Sequence, residues 1–116
     1  MPYRLLAAGE LAELLRALSH PRRIQIIEEL RSGERDVASL AEATGLVHSS
    51  VSQHLMVLRA NRVVAERREG RSVFYRLRTP ELAHWLVEGM DFLSPVDRQV
   101  EETRRAIKKA KARWSR

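Results

Sequence analysis

The pattern of apolar and polar positions between residues 37 and 60 predicts two helices joined by a tight turn. In the second helix, residues 48–60, apolar side chains recur at helical spacing and form one stripe of Val51, Leu55 and Leu58. The first helix, residues 37–44, has the same periodicity and is followed by Gly45, and glycine commonly ends helices. This order is typical of a helix-turn-helix.

The face of the second helix opposite to this stripe is small and neutral, whereas a solvated helix would carry Glu and Lys. It holds Ser49, Gln53 and Ala60, with Ser52 and Met56 beside them. Short hydroxyls and an amide allow a close approach and hydrogen bonds, which a helix inserted into a DNA major groove requires. This face predicts a recognition helix.

Two amphipathic helices are predicted before this motif. The first, residues 3–18, has a stripe of Leu11, Leu14, Leu15 and Leu18, and Leu5 and Leu6 extend its apolar surface further than one core contact requires. Ser19-His20-Pro21 is a typical helix start, so we interpret His20 as a cap rather than a ligand. The second helix is predicted to face the core with Ile24, Ile27 and Leu30.

From Val63 to Arg78 the period changes to that of strands. Two extended runs flank the turn Arg67-Arg68-Glu69-Gly70-Arg71, which predicts a β-hairpin with Arg67, Arg68 and Arg71 at its tip. Because the hairpin follows a recognition-type helix, we interpret these arginines as contacts to DNA phosphates or the minor groove. Simple solvation of a basic tip is the alternative.

Two further helices are predicted after residue 78. Thr79-Pro80-Glu81 begins the first of them, and its apolar surface is wider than one face: Leu82, Trp85, Leu86, Val87, Met90, Phe92 and Leu93. Such a surface indicates burial against both the domain and a partner chain. Ser94-Pro95 begins the last helix, with a heptad-like seam of Val96, Val100, Thr103, Ile107, Ala110 and Trp114. Its basic end is predicted to be frayed and solvated, or close to an anion.

Charge is unevenly distributed along the 116 residues. Residues 1–60 hold seven Lys/Arg and seven Asp/Glu, whereas residues 61–116 hold fourteen and eight, so the net charge of +6 lies in the second half. This basicity favours nucleic acid as a partner. The chain has no Cys, no apolar run long enough for a membrane span and no secretory signal pattern, so we expect a cytoplasmic protein.

Several segments together resemble the ArsR/SmtB family of bacterial and archaeal repressors: residues 17–27, 40–46, 50–55, 58–59 and 69–77. The resemblance covers roughly residues 10–90 and implies a winged helix-turn-helix. That fold is mostly α with a small β-hairpin, in the order α-α-α-α-β-β-α plus, here, an extra C-terminal helix. Family members are homodimers that bind imperfect palindromes and are released by an effector. We expect residues 1–93 to form the DNA-binding and dimerisation domain, with 94–116 as a basic helix of the same domain.

The resemblance also assigns roles by position. It implies base contacts for His48, Ser49, Ser52 and Gln53, and backbone contacts for Ser50, Arg67, Arg68 and Arg71. The apolar surfaces place the dimer interface at Leu5, Leu6, Trp85, Leu86 and Phe92. His54 lies nearer the apolar stripe than the groove face, so we interpret it as mainly structural.

Two positions depart from the family pattern. The family usually has Ser or Thr at Val47, so His48 or Ser49 is expected to cap the recognition helix, which would then begin a residue late. It usually has Gly at Arg62, so either Arg62 accepts the left-handed turn geometry at some cost or Asn61 takes it instead.

Metal sensing is not expected. Family members that sense thiophilic metals use paired Cys near the start of the helix before the recognition helix, where residues 35–40 contain no sulfur. Others bind zinc, nickel or cobalt between the C-terminal helices, but no His follows residue 84 here. His84, Glu88 and Asp91 share one polar face and are weak metal candidates; ordinary surface residues are the favoured interpretation. We expect no cofactor and leave open an unidentified small-molecule effector.

The sequence therefore favours a dimeric, sequence-specific transcriptional repressor that reads a palindromic operator with helix 48–60 and a basic wing, residues 63–78. The alternative is an architectural or non-specific DNA-binding protein, which would need Lys or Arg where Ser49, Ser52 and Gln53 stand. An enzyme is not expected, because the chain has no Cys, no Gly-rich phosphate loop, no Ser-His-Asp spacing and no cluster of carboxylates.

Overall fold

The computed structural model describes residues 2–93 and 100–115. The elements in chain order are α1 (Pro2–Leu18), α2 (Pro21–Leu30), β1 (Arg35–Asp36), α3 (Val37–Thr44), α4 (His48–Ala60), β2 (Val64–Glu69), β3 (Ser72–Leu77), α5 (Glu81–Gly89), a 3-10 turn (Met90–Phe92) and α6 (Val100–Trp114). The chain forms two compact units, residues 1–79 and 80–116. The first unit contains the helix-turn-helix and the hairpin.

The core of the first unit lies between α2, α3, α4 and the sheet. Its largest fully buried side chains are Ile26, Ile27, Leu40, Val51, Leu55, Leu58 and Val64. The predicted stripe of α4 is therefore confirmed. In α2 the prediction was partly wrong, because Ile26 is fully buried while Ile24 is only half-buried. Helix α2 packs against both α3 and α4, and the adjacent Ile26 and Ile27 are both fully buried, so its buried face is broader than one stripe.

Helix α1 is mostly exposed in the single chain. Only Ala17 and Leu18, at its C-terminal end, are buried, whereas Leu11 and Leu15 are exposed. Of the predicted stripe, Leu18 is buried and Leu14 is half-buried, so only part of it reaches the core of the first unit. Leu11 and Leu15 are therefore exposed apolar residues of α1, as Leu5 and Leu6 are.

Side chains at the starts of α2 and α3 satisfy backbone amides that helices leave without partners. His20 caps α2, and its Nδ1 accepts a hydrogen bond of 3.0 Å from the backbone N–H of Arg22. This confirms His20 as a cap. Asp36 caps α3 by accepting from the Ser39 N–H at 2.8 Å. Gly45 ends α3 as predicted, in the left-handed conformation with φ of 74°.

The described strands form one antiparallel sheet in the order β1-β3-β2. The strand β1 was not predicted, because its two residues are too few to show a period. The hairpin was predicted with a turn at 67–71, but β2 and β3 continue to the pair Glu69–Ser72, and Gly70 and Arg71 alone form the turn. Arg67 and Arg68 are therefore strand residues. Gly70 has φ of 61°, which suits a two-residue hairpin turn.

Arg62 occupies the left-handed region with φ of 60°, between α4 and the hairpin. Asn61 has φ of −98°, and its side-chain amide donates to the Val57 carbonyl at 2.9 Å. Of the two alternatives for this turn, the first is confirmed. The strain of the left-handed conformation therefore lies at Arg62, and the Asn61 side chain bonds back to the end of α4.

Arg62→Gly is expected to raise the free energy of unfolding by up to about 1 kcal/mol, because it removes the left-handed strain of a residue with a Cβ. Asn61→Gly should lower it, since its backbone needs no left-handed freedom and its hydrogen bond is lost. Urea denaturation at equal protein concentration compares the two variants. Equal effects at both positions would contradict the assignment of strain to Arg62.

The second unit begins with α5, whose N-cap is Pro80, within the predicted start Thr79-Pro80-Glu81. The helix gives way to the 3-10 turn after Gly89. Helix α6 continues to Trp114, whose side chain is buried, so this end is not frayed, while Lys108, Lys109 and Arg113 are exposed as the predicted solvation requires. Ser115 bonds back to the Lys111 carbonyl through both its N–H, at 3.1 Å, and its hydroxyl, at 2.9 Å. The predicted start at Ser94-Pro95 lies outside the described residues.

Candidate nucleic-acid interface

Helix α4 separates a buried face from an exposed polar one. Val51, Leu55 and Leu58 are fully buried, and they fix the rotation of the helix about its axis. The predicted base-facing residues all lie on the exposed side: His48, Ser49, Ser52 and Gln53. Ser50, predicted to contact the DNA backbone, is half-buried at the edge of this face. The packing thus brings the predicted α4 residues together on one accessible surface.

The start of α4 differs from the expectation that His48 or Ser49 would cap it. Val47 occupies the N-cap position, and no side chain accepts a cap hydrogen bond there. The Val47 carbonyl instead accepts from the N–H groups of Ser50 and Val51, at 3.1 and 3.2 Å. The helix therefore does not begin late, because the backbone alone forms its first turn.

His54 lies against His20, with ring centroids 4.5 Å apart and planes tilted by 52°. Burial is the main cause that lowers the pKa of His54, and the nearby charges of His20, Arg23 and Arg22 lower it further. A half-buried ring packed on the cap of α2, with its pKa lowered by burial, fits the interpretation of His54 as mainly structural.

Arg67 is held within the wing. Its Nε donates to the two carboxylate oxygens of Glu34 at 3.2 and 3.1 Å, and its Nη2 donates to one of them at 2.9 Å. Its Nη1 donates to Glu69 at 2.6 Å, and its guanidinium lies 4.9 Å from the centroid of the Phe74 ring. Two carboxylates thus compensate the charge of this arginine. Its hydrogen bonds therefore go to the loop before β1 and to its own strand β2, and the ring that it covers belongs to β3.

The other two predicted wing arginines have different surroundings. Arg68 lies near the end of β2 and Arg71 lies in the turn, and both are exposed. The wing is also attached to the recognition helix, because Arg59 of α4 forms an ion pair of 3.0 Å with Glu66 of β2. All three arginines are exposed, but Arg67 is held by two carboxylates, so Arg68 and Arg71 are the better placed for an external partner.

Glu34 is the residue at this site that the sequence reasoning missed. It stands 33 positions before Arg67, and only the folding of β1 onto β3 brings them together. A lone acidic residue in a loop gives no signal of such a partner. Glu34 matters at this site because it is a direct partner of one of the predicted wing arginines.

The pKa of Glu34 is lowered, first by its hydrogen bond from Arg67. A lowered folded-state pKa means that the ion pair contributes fully above the ordinary value of 4.5 and is lost as the pH falls through the lowered value. Arg67→Ala should therefore raise the pKa of Glu34 toward its ordinary value, whereas Arg68→Ala should leave it unchanged. Carboxyl-carbon NMR titration measures both. Equal effects of the two variants would contradict this contact.

The predicted dimer residues expose apolar surface in each unit. Leu5 and Leu6 on α1 are 78% and 67% exposed. In the second unit, Phe92 is 89% and Trp85 46% exposed, while Leu86 is half-buried. Apolar surface of this extent on a small protein is typical of an interaction site.

The weak metal candidates His84, Glu88 and Asp91 do not form one cluster of ligands. The carboxylate of Asp91 forms an ion pair with Lys111, and His84 Nε2 lies 3.7 Å from the Glu88 carboxylate. Within residues 2–93 and 100–115, no three His, Cys, Asp or Glu side chains form a group that could hold a metal ion. In that same part of the chain, no helix is long and apolar enough to cross a membrane.

A three-helix core that presents α4 beside a basic β-hairpin defines a winged helix-turn-helix protein.

The sequence model of one protein family, described as bacterial regulatory protein, arsR family, matches residues 20–66 of the chain. The chain is 45% identical over 84 residues to the transcriptional repressor SmtB of Mycobacterium tuberculosis CDC 1551, covering 72% of this chain and 60% of SmtB. It is 42% identical to the transcriptional regulator NmtR of strain H37Rv, covering 72% of this chain and 70% of NmtR.

The fold is similar to that of solved relatives. One is the homodimeric winged helix-turn-helix DNA-binding domain of Mb0332 from Mycobacterium bovis, a possible ArsR-family transcriptional regulator. It matches with a TM-score of 0.68 and 32% identity, over 76% of this chain and 83% of that domain. The chain therefore belongs to the ArsR family of bacterial regulatory proteins, and the resemblance found in the sequence is confirmed.

Proposed function

We propose that this protein is a dimeric, sequence-specific transcriptional repressor that binds a palindromic operator in double-stranded DNA. The observation that carries the proposal is the exposed face of α4, where Ser49, Ser52 and Gln53 lie opposite a fully buried stripe. Side chains of this size and polarity suit hydrogen bonding to base edges in the major groove. Membership of a family of regulatory proteins supports the same conclusion.

Within this proposal, the α4 residues divide by chemistry. Gln53 has an amide that can pair with adenine through both a donor and an acceptor, while Ser49, Ser52 and His48 can each bond a base edge. Ser50 lies at the edge of the face and is better placed for a phosphate. Because no side chain caps the start of α4 at Val47, the positive end of the helix dipole is open to a phosphate oxygen.

Arg68 and Arg71 would contact phosphates or the minor groove from the wing. Arg67 was predicted to do the same, but its two carboxylate partners favour a different role. We propose that Arg67 holds the wing at a fixed orientation, so that Arg68 and Arg71 reach the DNA beside α4. Phosphate contacts of this kind set register and supply affinity without reading sequence.

The dimer would form through the apolar residues of α1 and of the second unit: Leu5, Leu6, Trp85, Leu86 and Phe92. Two recognition helices related by two-fold symmetry require half-sites about one helical turn apart. We further propose that the protein acts in the cytoplasm and has no catalytic activity. Residues 1–93 would carry binding and dimerisation, with 94–116 as a basic helix of the same domain.

Selection of DNA from a random-sequence pool tests the proposed function. We expect enrichment of one inverted repeat whose half-site centres lie about 10 bp apart. A non-specific DNA-coating protein would retain DNA without enriching any sequence. Failure of enrichment together with tight binding to the starting pool would favour that alternative and contradict ours.

Metal ions are expected to change operator affinity less than threefold. A working allosteric site would give a coupling of about 5–150-fold, and such a site would need more donors than His84 and Glu88 supply. Titration of operator-bound protein with zinc, nickel and cobalt, and with a chelator, measures this. A large metal-dependent release that disappears in His84→Ala would contradict the expectation. If the metals change affinity as little as expected, regulation by an organic ligand or by protein concentration alone remains.

A further inference from the structure

The exposed face of α4 carries one large apolar residue. Met56 is 69% exposed and lies among small polar side chains. It follows Ser52 by four positions and Gln53 by three, so these two are its neighbours on the helix surface. Side chains in helices lean toward the N-terminus, so Met56 covers the turn that carries them. Any DNA base reached by Ser52 and Gln53 therefore lies within reach of Met56.

The chemistry of Met56 limits what it can recognise in DNA. Its thioether has no hydrogen to donate, so it offers a phosphate no favourable contact. In the major groove, the apolar feature of a base edge is the 5-methyl group of thymine. A thioether chain is flexible and polarizable, which lets it follow such a methyl group closely.

We propose that Met56 is a specificity-determining residue that contacts the 5-methyl group of one thymine in each operator half-site. The inference rests on the proposed function, since it requires α4 to lie in the major groove. Gln53 and Ser52 would read the polar edges of neighbouring bases, and Met56 would distinguish thymine from cytosine by the methyl group. A merely solvated Met56 would contact no base.

Replacement of thymine by uracil tests this contact, because uracil lacks only the methyl group and keeps the same hydrogen-bonding edge. Each thymine of the selected operator is replaced in turn, symmetrically in both half-sites. We expect one position at which wild-type affinity falls by about fourfold per half-site, the effect of removing one buried methyl group. Met56→Ala should be insensitive to uracil at that position. Met56→Leu, which keeps an apolar side chain, should retain the sensitivity.

The outcomes separate this inference from the proposed function. The contact is overturned, while the proposed function stands, if the operator is bound specifically but no uracil substitution weakens wild-type binding. The same holds if uracil lowers the affinity of Met56→Ala as much as that of the wild type. If no operator can be selected, both are overturned. Circular dichroism checks that the variants are folded, which we expect because Met56 is exposed and its removal leaves no cavity.

Discussion

Trp85→Lys is expected to convert the protein into a monomer and to abolish operator binding. Trp85 belongs to the apolar surface of the second unit and is 46% exposed in the single chain. A lysine ammonium at that position would have to be buried without a partner in a dimer, which costs several kcal/mol. Loss of the dimer also removes the avidity of two linked recognition helices, about 10²–10⁴-fold in affinity. Leu86→Lys should have the same effect.

Sedimentation measures the first part of this prediction. It is done at about 50 µM protein, a concentration at which a stable homodimer should not dissociate. Wild type should sediment at twice the 13.4 kDa chain mass and the variant at that mass. His84→Lys is the matched control, because it introduces the same charge at the neighbouring position on the polar face, where the side chain is 82% exposed. A monomeric wild type, or a Trp85→Lys dimer, would contradict the proposed interface.

Gln53→Ala is expected to lower operator affinity by about 1–3 kcal/mol and to affect binding to random DNA much less. Gln53 is exposed on α4 and carries the one amide of the predicted base-facing set. Its removal deletes hydrogen bonds that depend on base identity and leaves the fold intact. Fluorescence anisotropy with the selected operator and with a scrambled duplex gives both affinities.

Arg71→Ala is the matched control for electrostatics. Arg71 lies in the wing turn, so its loss should weaken binding to both duplexes alike and reduce the slope of log affinity against log salt by about one. Gln53→Ala should therefore weaken mainly operator binding, whereas Arg71→Ala should weaken binding to both duplexes. Equal weakening of both duplexes by Gln53→Ala would mean that α4 does not read bases.

Local signals in the sequence predicted the elements that determine the site. One face of α4 is buried, so its apolar residues Val51, Leu55 and Leu58 recur at helical spacing. The exposed face could therefore be predicted as the side opposite to this stripe. His20 and Gly45 mark helix ends through hydrogen bonds and backbone geometry that involve only near neighbours. Such features are visible in a sequence because their causes lie within a few residues.

The features that could not be predicted depend on distant parts of the chain. Glu34 meets Arg67 only after β1 pairs with β3, and this contact changes the interpretation of one predicted DNA contact. Leu11 and Leu15 have the apolar period of a buried stripe, yet both are exposed in the single chain, and that period alone does not say whether a side chain reaches the core. Trp114 is buried within a basic segment whose composition predicted fraying.

The central claim is that this protein reads a DNA sequence rather than only attracting DNA. The most direct test is the ratio of its affinities for the selected operator and for a scrambled duplex of equal length at physiological salt. We predict a ratio of at least about 10³, the lower end for specific DNA-binding proteins. A ratio within about tenfold of one would contradict the claim, because phosphate contacts alone supply binding that is independent of sequence.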